Sequence, residues 1–165
     1  FNGKILKKMG DAFFVDFSSS INAIECSVEI QKVLKDYNSS KDSRKKLLLR
    51  IGLHIGDVFI KEDDLFGEGI NVAARLEPLA ETGGICMSQA FYDSVKVKSD
   101  FSAVRVGDVA LKNILSKYTI YKIPSFYAED YIEPVSISET DTFQINYKIK
   151  NKKELRKIKL TYDET

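Results

Sequence analysis

The spacing of apolar residues along the chain predicts short strands alternating with amphipathic helices. Ile5 and Leu6 lead into Gly10-Asp11, a turn-forming pair, and residues 12–17 return as a strand, so residues 4–17 read as a hairpin. Ser18, Ser19 and Ser20 then offer helix N-caps. Apolar residues at 21, 24, 28, 30, 34 and 37 follow the 3.6-residue period of a helix with one buried face. Residues 38–46 are polar and charged and read as a solvated loop. Residues 47–54 and 58–60 read as two strands joined at Gly56-Asp57, residues 69–80 as a helix ended by Thr82-Gly83-Gly84, and residues 85–87 as a short buried strand. A short helix over 89–95 and strands over 101–106 and 118–123 complete the series. This alternation places the chain in the α/β or α+β class.

Length and composition narrow the picture only slightly. A chain of 165 residues, 44% hydrophobic and 30% charged, suits a globular domain with a real core. The net charge of +1 singles out no polyanionic partner, so nucleic acid is not expected. Cys26 and Cys86 sit in apolar surroundings without metal-ligand spacing and read as reduced thiols of a cytoplasmic domain. The sequence has neither a signal-peptide pattern nor an apolar run of membrane-spanning length. Pro124 marks the expected boundary between a domain over 1–123 and a tail over 124–165. Beyond it Glu129, Asp130, Glu133, Glu139 and Asp141 make an acidic-aromatic linker. Residues 148–159 then carry seven basic residues and one acid, read as a solvated face rather than a lipid or nucleic-acid patch.

The densest chemistry lies in Asp64-Leu65-Phe66-Gly67-Glu68-Gly69-Ile70-Asn71-Val72-Ala73-Ala74-Arg75. Asn71 and Arg75 are four apart and share one helix face, where an amide and a guanidinium reach one ligand. Asp64 precedes the turn at Gly67 and Gly69 and meets that ligand from the loop side. A base, a ribose and a phosphate together call for such groups.

This run resembles the class III nucleotidyl cyclase catalytic domain, whose pattern D-x-F-G-x-x-V-N-x-A-x-R it follows. Three further segments match that family in order: Lys7-Lys8-Met9-Gly10-Asp11 (K-x-x-G-D), the R-I-G-L-H-I-G strand of residues 50–56, and Gly83-Gly84-Ile85-Cys86-Met87-Ser88 (G-x-I-x-x-S). The resemblance spans roughly residues 4–123 and implies an α+β sandwich with a ferredoxin-like βαββαβ core. It implies an adenylate cyclase converting ATP to cyclic AMP and pyrophosphate in intracellular signalling, at a site shared across a head-to-tail homodimer. Asp11 matches a metal-binding aspartate for Mg²⁺ or Mn²⁺, two ions being expected per complete site, and carboxylates suit such hard cations. Lys7 and Asp64 match the purine-reading pair. An ammonium donating to adenine N1 and a carboxylate accepting from N6 select ATP. Asn71 matches the ribose-orienting residue and Arg75 the one that neutralises the α-phosphate, a task suited to a planar, permanently charged fork. Lys112, in Leu111-Lys112-Asn113, matches a lysine that approaches the terminal phosphates; asparagine here replaces the family's glycine and tolerates the same left-handed backbone. His54 reads as structural.

The resemblance also predicts an absence. The family's first metal aspartate lies some forty residues before the second, whereas this chain begins ten residues before Asp11. The expectation is therefore a fragment that is inactive and marginally folded alone, with a regulatory domain or membrane anchor elsewhere in its parent. Two other readings stay open: a pseudo-cyclase that binds nucleotide and dimerises without turnover, and a guanylate cyclase, which Lys7 and Asp64 disfavour.

Overall fold

The computed structural model describes residues 1–42, 45–61, 64–97, 101–127, 132–137, 144–149 and 155–159; the side chains of 60, 61, 64, 65 and of everything after 127 lie outside the description. Strands β1 (Lys4–Met9) and β2 (Ala12–Asp16) form the expected hairpin, with a bulge between Ile5 and Lys7. Helix α1 (Ser20–Ser39) starts where Ser19 accepts the Asn22 amide at its Oγ. Strand β3 (Ile51–Leu53) follows, then a second hairpin of β4 (Phe59–Lys61) and β5 (Asp64–Phe66). Helix α2 (Glu68–Leu76) passes into one 3₁₀ turn at Glu77–Leu79, because Pro78 cannot donate to a continuing helix. Strand β6 (Ile85–Ser88), helix α3 (Gln89–Val95), and strands β7 (Val104–Ala110) and β8 (Lys117–Ile123) complete the core.

The central sheet has the order β3-β6-β8-β7, with β3 and β6 parallel and the other pairs antiparallel. Its two faces are read directly from alternation. On β6, Ile85 and Met87 join the cluster formed with Ala23 and Ile24 of α1 and Phe91 and Val95 of α3. Cys86 points the other way, to Val72 and Leu76 of α2. A strand buried on both faces must be apolar throughout, which is why Ile-Cys-Met reads as a continuous run. Burial pushes the Cys86 thiol up to about 12, which leaves it an inert core residue. The mixed sheet with packed helices is the α+β architecture expected.

Several boundaries differ from the sequence reading, each for a physical reason. β7 lies at 104–110 rather than 101–106, because a bulge beside Gly107 lets Val104, Val106 and Val109 all face α2. Of residues 47–54, only Ile51–Leu53 pairs in a ladder. Residues 38–46 were expected to be a solvated loop, yet Asn38 is buried: its amide donates to the Leu47 carbonyl at 2.6 Å and its Oδ1 accepts from Leu47 N at 2.8 Å. Past Pro124 the chain still holds the core, with Phe126 N donating to the Gly83 carbonyl and Asn38 Nδ2 to the Tyr127 hydroxyl. Further on, β9 (Ile132–Ile137), β10 (Gln144–Ile149) and β11 (Leu155–Lys159) form an antiparallel meander, with both ends of the basic run of 148–159 on strands. Glu129, Asp130, Glu139, Asp141, Lys150, Lys152, Lys153 and Glu154 lie outside the described residues.

Candidate active site

Helix α2 and the β1–β2 hairpin carry four of the six predicted residues. The first is α2. Val72 and Leu76 anchor its inner face in the core, and that orientation leaves Asn71 and Arg75 on the exposed face, one turn apart. The start of α2 is fixed by backbone packing rather than by a cap: Gly67 at its N-terminus makes no side-chain capping bond. Gly67 has φ 137°, and a Cβ there would lie 2.3 Å from the Asp57 carbonyl oxygen. Next to it, a Cβ on Gly56 would come within 2.7 Å of Gly69 Cα. The glycines of the two motifs therefore meet each other, and any side chain would push α2 off the β3–β4 turn.

Arg75 reaches across to the segment joining β7 and β8, where its Nε donates to the Lys112 carbonyl at 3.3 Å. The structure thus sets Arg75 against the backbone of Lys112, with Asn71 one turn earlier on the same exposed face of α2. Asn113 adopts φ 63°, the left-handed turn expected from its replacement of glycine. Asp64 belongs to β5 by its backbone, two residues before the glycine turn, and its side chain lies outside the description.

The second element is the hairpin. Lys7 is half-buried on β1, and Asp11 is exposed at the turn between β1 and β2. Lys8 follows Lys7 but sets its Nζ 5.5 Å from the Phe13 ring centroid, a cation–π contact that separates its role from that of its neighbour. The hairpin forms a sheet of its own, distinct from the one carrying α2. Lys7 and Asp11 thus share one hairpin, and Asn71 and Arg75 share one helix.

The carboxylate of Asp11 is a suitable hard ligand for Mg²⁺ or Mn²⁺. One such donor does not make a site, and the described residues contain no group of three His, Cys, Asp or Glu side chains able to hold an ion. The described residues therefore do not by themselves fit a two-ion centre.

Four residues that the motifs did not assign to the site surround the start of α2. Tyr118 donates from its hydroxyl to Glu68 Oε1 at 2.9 Å, and its ring meets His54 edge-on with centroids 5.6 Å apart. His54 Nδ1 lies 2.8 Å from Ser88 Oγ. Burial lowers the His54 pKa below 6.5, and the nearby Glu68 charge opposes that shift. A histidine kept neutral in this way is the structural residue expected, held by Ser88 and Tyr118. Only the glycine spacing hinted at this packing; the Glu68–Tyr118 pairing spans 50 residues and leaves no local trace.

Comparison with known proteins points one way. The model of the adenylate and guanylate cyclase catalytic domain matches residues 3–125. A putative adenylate cyclase 3 of Rhizobium meliloti (strain 1021) is 37% identical over 112 residues, 68% of this chain and 19% of that protein's length. The crystal structure of an adenylate/guanylate cyclase/hydrolase from Silicibacter pomeroyi shares 29% identity at a TM-score of 0.70, covering 76% of this chain and 74% of the other. Adenylate cyclases from Trypanosoma brucei superpose with a TM-score of 0.61 at 20% identity over 78% of this chain and 73% of theirs, a likeness of fold.

Proposed function

The chain belongs to the adenylate and guanylate cyclase catalytic domain family, and from that premise we propose that it is an adenylate cyclase, a lyase that closes ATP to cyclic AMP and releases pyrophosphate. The ribose 3′-oxygen forms the new bond to the α-phosphorus, the bond from that phosphorus to the β-phosphate's bridging oxygen breaks, and the 3′-proton is lost. Such a transfer depends on in-line positioning and neutralised charge more than on covalent help. Asn71 orients the ribose, Arg75 meets the charge that develops on the α-phosphate, and Lys112 meets the leaving phosphates. Lys7 and Asp64 read adenine by donating to N1 and accepting from N6. Asp11 contributes one metal ligand, in keeping with the family's general need for metal.

The observation that carries this reading is the junction of α2 with the β7–β8 connection. There an exposed amide and guanidinium sit one turn apart, beside a lysine on a left-handed turn. The proposed assembly is a head-to-tail homodimer, with Asp11 of one copy facing Lys7, Asp64, Asn71 and Arg75 of its partner. The division at Pro124 into a catalytic domain and a tail belongs to the same proposal. So does the cytoplasmic setting; no helix of the described residues is long and apolar enough to cross a membrane.

The test is product identification from the full-length protein, with ATP or GTP and with Mg²⁺ or Mn²⁺. Cyclic AMP formed from ATP, and lost in Arg75→Ala, is the expected result. Cyclic GMP as the main product would reverse the purine assignment, and a folded dimer that binds ATP without turnover would make the domain a regulatory module.

A further inference from the structure

The connection between β7 and β8, together with the start of β8, meets α2 at both of its ends. Tyr118 bonds Glu68, the first residue of the helix, and the Lys112 carbonyl accepts from Arg75 in its last turn. Between these points Leu111 is buried in the cluster containing Val72 and Leu76, and Ile114 packs against it. The connection has a shape of its own: Ile114 N donates to the Leu111 carbonyl at 3.0 Å across the left-handed Asn113. Its far end is anchored where the Tyr118 ring meets His54, which is fixed in turn by Ser88.

We propose that residues 111–118 form a strap that sets the pose of α2, which makes Tyr118 and Asn113 positioning residues for Asn71 and Arg75. Helix α2 is nine residues long and begins without a side-chain cap, so little in its own sequence fixes its first turn. The Glu68–Tyr118 bond ties that turn to the sheet. At the other end, engaging Arg75 through Nε leaves its terminal nitrogens as the donors presented to a phosphate. The Asn113 backbone decides where the Lys112 carbonyl points, and hence where the guanidinium sits. Desolvation, reinforced by Glu68, raises the Tyr118 phenol above 10.0, so it stays a proton donor through the neutral range.

This inference deepens the cyclase reading and rests on it, so its test needs one readout that turnover does not supply. In the full-length protein, Tyr118→Phe, Glu68→Ala, their double variant, Asn113→Val and Asn113→Gly are compared for kcat, KM for ATP, and amide hydrogen exchange over 68–76. Tyr118→Phe should lower kcat roughly tenfold with KM nearly unchanged, the scale expected when a reacting group is slightly misplaced. The double variant should be no worse than either single one, since both remove one bond. Asn113→Val, which resists a positive φ, should lose activity alike, and Asn113→Gly should restore it. Exchange across 68–76 should quicken in the same variants that lose kcat. Unchanged kcat and exchange in Tyr118→Phe, or fully additive losses in the double variant, would overturn the strap. If the wild-type protein makes no cyclic nucleotide, the cyclase reading fails on its own; quickened exchange would still uphold the strap, and unchanged exchange would still overturn it.

Discussion

Helix α2 and the β1–β2 hairpin each present residues assigned to the nucleotide, yet the chain supports them very differently. Val72 and Leu76 of α2 are wholly buried, the glycine turns press against its start, and Glu68 and Arg75 are both bonded to the β7–β8 connection. No residue of either hairpin strand is buried, and Ile5, Met9, Phe13 and Val15 are between 43% and 63% exposed. Helix α2 is therefore held in place by contacts within one chain. The hairpin offers Asp11 beside an exposed apolar surface that a second copy would cover, in the shared-site arrangement proposed.

The sharpest break between the two regions should come at Arg75. Its replacement by alanine removes charge stabilisation from the transition state and should cut kcat by about 10²–10³. KM should change little, which separates this loss from one of ground-state binding. On stability, Leu76→Ala should cost about 2–5 kcal/mol, read as a lowered denaturant midpoint. Phe13→Ser on the exposed hairpin should cost the monomer about 0.5 kcal/mol or less, while shifting the dimer equilibrium towards monomer in sedimentation. Equal losses of monomer stability would erase the distinction between the regions.

A smaller effect tests the purine assignment. Lys7→Glu with Asp64→Cys should move the ATP:GTP ratio of kcat/KM towards GTP, and an unchanged ratio would remove these two residues from base reading. The smallest effect concerns pH. Because the folded protein holds the His54 pKa below 6.5, the unfolded chain takes up the proton first. The stability this neutral imidazole contributes is complete above 6.5 and is lost as pH falls through its folded pKa. The melting temperature should therefore fall less on acidification in His54→Gln than in the wild type.

Elements governed by local rules were legible in the sequence. Helix α3 was expected over 89–95 and occupies Gln89–Val95, since Ser88 caps it and its apolar residues keep the helical period. Helix α1 extends the expected 21–37 by a residue or two at each end, for the same reasons. Elements shaped by distant partners were not legible. Strand β7 runs through a bulge on to Ala110, and there its register answers to its partner β8 and not to its own alternation. Strand β5 is only three residues long, too short to show a period, and exists by pairing with β4. Asn38 looks like a loop residue until its amide is seen closing on Leu47. In the candidate site, the motifs singled out Lys7, Asp11, Asp64, Asn71, Arg75 and Lys112, and the structure sets Asn71 and Arg75 on one exposed face of α2 with Arg75 against the Lys112 backbone. The residues that hold α2 in place escaped notice, because Glu68 and Tyr118 are ordinary types whose meeting only the fold reveals.

The proposal that this chain is a cyclase completed by its own copy is tested most directly by mixing. An Asp11→Ala protein and an Arg75→Ala protein, each inactive alone, are combined and allowed to exchange subunits. The account predicts recovery to about a quarter of the wild-type rate, because half of the dimers are mixed and each mixed dimer holds one intact site of two. A mixture that stays inactive while both variants fold and dimerise would contradict it.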